Sequence, residues 1–279
     1  MEKKHHQHQQ HQQDIKKTIR KTYGKIALQQ NESESGSSSS SSCCAPGCCS
    51  GGEGGAADSP AQAATVVGYE TSELESVPQA SILGVGCGAP VKFADLQRGE
   101  TVVDLGSGAG IDVFLSAKKV TEAGRVIGID MTNEMLKRAR RNAKEGGYTH
   151  VDFRKGDIEQ RIPVDDNSVD VVISNCVINL TMNKVDAFKE VHRILKPGGG
   201  RMVISDLVTD TEIITPTDAD FQMWSSCIDG ALTKEHYLNS IRQAGFEDVE
   251  VLSETLYMDG MEPVDCRKIS SVVIKAIKR

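Results

Sequence analysis

A doubly wound, mostly parallel α/β sheet of seven strands is the fold class this 279-residue sequence predicts. Three observations predict it. Short apolar runs alternate with amphipathic stretches from about residue 100 onward, the pattern of repeated strand–helix units. One run, Val102-Val103-Asp104-Leu105, leads straight into Gly106-Ser107-Gly108-Ala109-Gly110, three glycines at alternate positions. Acids then recur at the ends of the next two runs, Asp130 after Arg125–Ile129 and Asp157 after Val151–Gly156.

The glycine turn reads as strand, tight turn and helix start. Glycine lets the backbone turn with positive φ and lets a ligand press against bare main chain. The N-terminus of the helix that follows, 111–119, offers free N–H groups to a carboxylate or other anionic group. The G-x-G-x-G spacing differs from the dinucleotide G-x-G-x-x-G. After strand 125–130, a helix over 132–145 is predicted. Thr132 is its N-cap, Met135, Leu136, Ala139 and Ala143 share one face, and Gly146-Gly147 stops it. Strand 151–154 and the buried strand 169–174 follow, then helix 184–195, terminated by Lys196-Pro197-Gly198-Gly199-Gly200, and strand 201–207. Thr209 to Leu232 breaks the alternation and holds Phe221, Trp224 and Cys227, as a lid or substrate-recognition insertion would. Thr233 caps a helix to Ala244, and strands 248–255 and 269–277 complete the sheet. Cys266 lies just before the last strand and is expected to be structural.

The first 65 residues are poor core material. A His/Gln tract, with His5, His6, His8 and His11, is expected to be a solvated tail. Asp14 to Leu28 should form a short helix that docks through Ile15, Ile19 and Ile26. Gln29 to Ala64, with its six-serine run Ser37–Ser42, cannot bury enough surface to order itself, yet carries Cys43, Cys44, Cys48 and Cys49. The expected division is therefore 1–65 as a low-complexity, largely disordered segment, 66–208 as the ligand-binding domain, and 209–279 as the substrate insertion plus closing strands.

Composition narrows the function. The net charge is -7 and aromatics are 4%, which argues against a nucleic-acid surface. No apolar run approaches the roughly 20 residues of a membrane span, and the N-terminus lacks a signal-peptide core. A soluble cytoplasmic protein and a monomer are expected. Eight cysteines among 279 residues fall well below the roughly 8–10% of a disulfide scaffold, so clustered cysteines point to metal or redox chemistry.

Three acids after three consecutive strands resemble the binding signature of class I S-adenosylmethionine (SAM)-dependent methyltransferases, a Rossmann-like fold. That resemblance implies that Asp104, Gly106, Ser107, Gly108 and Asn175 contact the methionine end. Asp130 would hold the ribose hydroxyls, Met131 would pack on the adenine, and Asp157 and Ile158 would face its edge.

Gly86-Cys87-Gly88, Ser174-Asn175-Cys176-Val177-Ile178-Asn179-Leu180 and Cys227-Ile228-Asp229-Gly230-Ala231, in this order around the glycine turn, resemble the arsenite methyltransferase family. The resemblance covers roughly 66–235, with a weaker echo at Tyr23-Gly24-Lys25-Ile26-Ala27. Cys176 and Cys227 are assigned as the principal ligands of trivalent arsenic. The family pattern implies Cys87 as a third thiol that ligates or forms a disulfide during turnover. One of Cys43, Cys44, Cys48 or Cys49 would be its partner, with Cys44 carried in the catalytic set. Trivalent arsenic is soft, so thiolates are its natural ligands. Held by three sulfurs it keeps a lone pair that can attack the donor methyl with no general base. Thioredoxin or glutathione would then regenerate the thiols. The competing readings are a methyltransferase for another small acceptor, which needs no thiol triad, and a non-catalytic metalloid binder.

Overall fold

The computed structural model describes residues 2–29, 59–211, 227–228, 230–259 and 268–279, with 2–12, 29, 258 and 259 described as backbone only. Cys43, Cys44, Cys48, Cys49, Phe221, Trp224 and Cys266 lie outside the described residues.

Seven strands form one sheet: β1 Thr101–Leu105, β2 Arg125–Asp130, β3 Val151–Lys155, β4 Val171–Asn175, β5 Gly200–Thr209, β6 Glu247–Asp259 and β7 Lys268–Lys278. Their spatial order is β3-β2-β1-β4-β5-β7-β6. The pairs from β3 through β5 are parallel, and β7 runs antiparallel to both β5 and β6. The order reverses between β1 and β4, and in an open sheet of this type the ligand crevice lies at that switch, outside the carboxyl ends of the strands.

Alternation along the strands explains the two-sided core. Val102, Val126, Val171, Ile173 and Val203 face one side, where helices α4 Ile111–Val120 and α5 Asn133–Glu145 cover them. Val103, Ile127, Val172, Met202 and Ile204 face the other, beneath α6 Lys184–Ile194 and α7 Lys234–Gln243. Successive strand side chains point to opposite faces, so a strand buried on both sides reads as a continuous apolar run. Each fully buried Val, Ile or Leu is worth about 1.5–3 kcal/mol of transfer free energy.

Two short helices, α2 Pro60–Val66 and α3 Thr71–Glu75, lead into the loop that carries Cys87. Ser59 caps α2 by accepting from the Gln62 N–H, with Pro60 at the first turn.

The N-terminal helix differs from expectation. α1 spans Glu2–Gln29, 28 residues, so it starts twelve residues before Asp14 and takes the His/Gln tract into the helix instead of leaving it as a tail. Gln and His are compatible with helix, and the tract lacks the Gly, Pro or Ser that would stop it. The docking half behaves as the periodicity predicts. Ile15, Ile19, Ile26 and Ala27 are buried, and Ala27 O accepts from Arg138 Nη1 of α5 at 3.0 Å.

Candidate active site

The carboxyl end of β2 and the loop after β3 place Asp130 and Asp157 on one cleft. Asp130 is held by backbone: its carboxylate accepts from Gly108 N at 3.0 Å and Thr132 N at 2.7 Å. Gly106 and Gly108 have φ of +67° and +50°, so this turn requires glycine. A Cβ on Gly106 would also overlap Val177, the residue after Cys176. The cavity is lined by Gly106, Gly108, Asp130, Met131, Asp157 and Ile158, with Asn175 and Cys176 at its far end.

A second hollow opens beside it, lined by Asp104, Ser107, Asp112, Asn175 and Tyr69. Burial, then repulsion from Asp112 and Asp130, pushes Asp104 well above the usual carboxylate range. Asp112 is raised to about 6 by burial, although Tyr69 and Asn175 donate to it. The buried Ser107 Oγ has no partner among the described residues. Crowded buried carboxylates beside an orphaned hydroxyl call for a cation with polar ends. S-adenosylmethionine, with an ammonium, a sulfonium, a carboxylate and ribose hydroxyls, fits that donor and acceptor set. Bound there, it would supply an electrophilic methyl group.

The thiols come from three distant places. Cys87 sits in the loop before β1, Cys176 directly after β4, and Cys227 beyond β5. They pack in one small cluster with Leu207 and Ile269, and all three are free and buried. Cys227 Sγ donates to Cys176 O at 3.0 Å. Hydrogen bonds that the Cys176 thiol donates to the Cys227 and Cys87 sulfurs, with burial, hold it well above the usual thiol range. Burial likewise raises Cys87. Cys176 and Cys87 therefore keep their protons until a thiophilic centre displaces them.

Local backbone aims these thiols. Cys176 and Cys227 have φ of 59° and 63°, the left-handed region that costs a non-glycine residue roughly 1–2 kcal/mol. Such strain persists only where surrounding contacts enforce it. Cys176 N donates to Ser205 O at 2.8 Å. Cys87 is pinned from both sides: its N–H donates to Asn175 Oδ1 at 3.1 Å, and its carbonyl accepts from Ser271 Oγ at 2.6 Å. A Cβ on Gly88 would overlap Ser205, and one on Gly230 would overlap Asn179 O, so both thiol-bearing loops seat through bare glycine.

Asn175 lines the cleft, but its side chain ties the Cys87 loop to it. Nδ2 donates to Gly88 O at 2.6 Å and to Tyr69 OH at 2.8 Å. Asp157 carries a contact that the sequence reading missed, an ion pair of 2.7 Å with Lys16 of α1. Lys16 also meets Glu159 at 2.6 Å. Burial opposes its charge, but these two partners outweigh burial and raise its pKa. Glu159 in turn accepts from Met182 N and Asn183 N, so α1 is strapped across the cleft to the segment beyond Cys176. Tyr23 on the same helix reaches the Cys227 and Cys176 thiols. Only Tyr23-Gly24-Lys25 hinted at this role in the sequence; nothing marked Lys16.

Below the thiols lies Asp206 of β5, also missed. It accepts from Leu207 N at 2.9 Å, Asn179 N at 3.0 Å and Tyr237 OH at 3.0 Å. Burial raises it to about 6 and lowers the neighbouring Lys184 to about 8.

Known proteins match this chain over most of the described sheet. The methyltransferase-domain family model matches residues 96–245, more than half of the chain. An arsenite methyltransferase of Halobacterium salinarum is 43% identical over 194 residues, covering 70% of this chain and 49% of that protein. The arsenite methyltransferase of Mus musculus is 31% identical over 226 residues, covering 75% of this chain and 59% of its own length. The chain thus spans about half the length of the curated relatives it matches. Among solved structures, an arsenic(III) S-adenosylmethionine methyltransferase from Chlamydomonas reinhardtii superposes with a TM-score of 0.62 at 30% identity, covering 79% of this chain and 74% of that one. The family match over more than half of the chain, with the likeness to these arsenic methyltransferases, places the chain in the arsenite methyltransferase family of S-adenosylmethionine-dependent class I methyltransferases.

Proposed function

We propose that this protein transfers methyl groups from S-adenosylmethionine to trivalent arsenic, first arsenite and then methylarsenite. The observation that carries the reading is the meeting of Cys87, Cys176 and Cys227 in one buried cluster, with Cys176 lining the carboxylate-walled cleft. The names of its relatives support the same chemistry.

In this reading Asp104, Gly106, Ser107, Gly108 and Asp112 hold the methionine end, Asp130 the ribose, and Met131, Asp157 and Ile158 the adenine. Cys176, Cys227 and Cys87 replace the oxygen ligands of arsenite, their protons leaving with those oxygens as water. The chain's task is positional: the arsenic lone pair must lie about 3–3.5 Å from the donor methyl and in line with the departing sulfur. No side chain need take a proton in that step. Reduction back to trivalent arsenic requires two electrons. Cys87 with one of Cys43, Cys44, Cys48 or Cys49 would supply them by forming a disulfide, which thioredoxin or glutathione would reopen. A monomer working in the cytoplasm completes the proposal; among the described residues no helix is long and apolar enough to cross a membrane.

Incubation with arsenite, S-adenosylmethionine and a thiol reductant, followed by mass-spectrometric speciation of arsenic, tests the reading. Methylated arsenic is expected from the native chain and none from Cys176→Ser. Methylation undiminished in Cys176→Ser would sink it.

A further inference from the structure

We infer that the Asp206 carboxylate is a fixed counter-charge beneath the bound arsenic, stabilising the positive charge that arsenic acquires as the methyl group arrives. The inference rests on the methyl-transfer reading above and adds a residue to it.

The charge balance requires such a group. Arsenic held by three thiolates is neutral. Its lone pair forms the new As–C bond, the C–S bond breaks, and that pair stays on the sulfonium sulfur as a neutral thioether. One unit of positive charge therefore passes from sulfur to arsenic, and no proton moves. The arsenic stands among Leu207, Ile269 and three buried sulfurs, a setting in which an unpaired cation is expensive.

Asp206 is built to meet that charge. A carboxylate oxygen of Asp206 and the Sγ atoms of Cys87 and Cys176 all lie within 4.8 Å of one another. Three donors fix it: Leu207 N at 2.9 Å, Asn179 N at 3.0 Å and Tyr237 OH at 3.0 Å. The dipoles of these three donors already point at the carboxylate, so its surroundings need not reorganise when the charge develops. Ligation of arsenic by Asp206 is the weaker reading. Carboxylate is a hard ligand, arsenic is soft, and the oxygens are already engaged by their donors.

The test uses the full chain and Asp206→Asn, with Tyr237→Phe as the second variant. Arsenite retained after desalting and S-adenosylmethionine affinity by calorimetry are measured beside single-turnover methyl transfer. In Asp206→Asn both affinities should stay within threefold, because neither bound ground state places new charge on arsenic. The transfer rate should fall about 100-fold. Tyr237→Phe removes one of the three donors and should lower the transfer rate about tenfold, with both affinities kept within threefold. A rate in Asp206→Asn within threefold of the native chain overturns the inference and leaves the methyl-transfer reading standing. So does a loss of arsenite binding as large as the loss of rate, which would make Asp206 a structural support. If Asp206→Asn cannot fold, Tyr237→Phe decides: a rate within threefold of the native chain overturns the charge role, and a tenfold loss with both affinities kept supports it. A native chain that methylates no arsenic overturns both readings together.

Discussion

The cofactor end and the thiol end of this cleft are built in opposite ways. At the first, Asp104, Gly106, Gly108 and Asp130 lie within one βαβ unit, and backbone amides within that unit or just after it hold Asp130. At the second, Cys87, Cys176 and Cys227 come from three loops, and their convergence depends on glycines that touch neighbouring loops and on two strained backbones. The first is a local device that many sequences can carry. The second exists only when the whole sheet has formed. Cofactor binding and arsenic binding should therefore fail separately when the protein is altered.

The largest separation is expected from Cys176→Ser. It should abolish arsenite retention and lower methylation by more than about 10³-fold, while S-adenosylmethionine affinity, read by calorimetry, moves less than threefold. Asp130→Ala is the mirror image. Loss of the acceptor for Gly108 N and Thr132 N should weaken the cofactor by about 100-fold with arsenite retention intact. Equal loss of both affinities in either variant would break the distinction.

Gly230→Ala sharpens it. Gly230 has no positive φ to lose, so the added methyl acts only by displacing the Cys227 loop from Asn179. Arsenite affinity should drop about 10–30-fold, with the melting temperature of the sheet lowered by only a few degrees. Lys16→Ala tests the strap. Without the pairs to Asp157 and Glu159, cofactor dissociation, measured by stopped flow, should quicken about three- to tenfold, and the salt dependence of that rate should flatten.

The smallest effect is with pH. Asp112 is raised to about 6 from 3.8, so between these values the folded chain binds more protons than the unfolded one. The group therefore lowers the stability of the ligand-free protein as pH rises through that interval, with no further change above it. A cation bound beside Asp112 and Asp104 favours the ionised forms. S-adenosylmethionine affinity should thus fall severalfold from pH 7 to pH 5, with proton release on binding, and Asp112→Asn should reduce that slope.

Much of the cofactor end was legible because its signals are local. A strand period, an acid at the strand end and glycines at alternate positions can each be read within ten residues. Asp112 escaped notice because a first-turn helical acid is ordinarily solvated, and only the fold buries it against Tyr69. Lys16 and Asp206 were equally silent, since their partners lie 141 and about 30 residues away. The length of α1 was underestimated because a polar tract has no apolar period to mark where the helix begins.

Alone, the sequence determined the α/β sheet, the approximate spans of its strands and of the helices after residue 100, and the identity of the chemical groups, because burial periodicity and turn residues act over short stretches of chain. Only the tertiary structure decided which sulfurs share one pocket, which carboxylate lies beneath them and which helix closes the cleft. Those choices depend on contacts between residues far apart in the chain, and their energies come into being only when the layers pack.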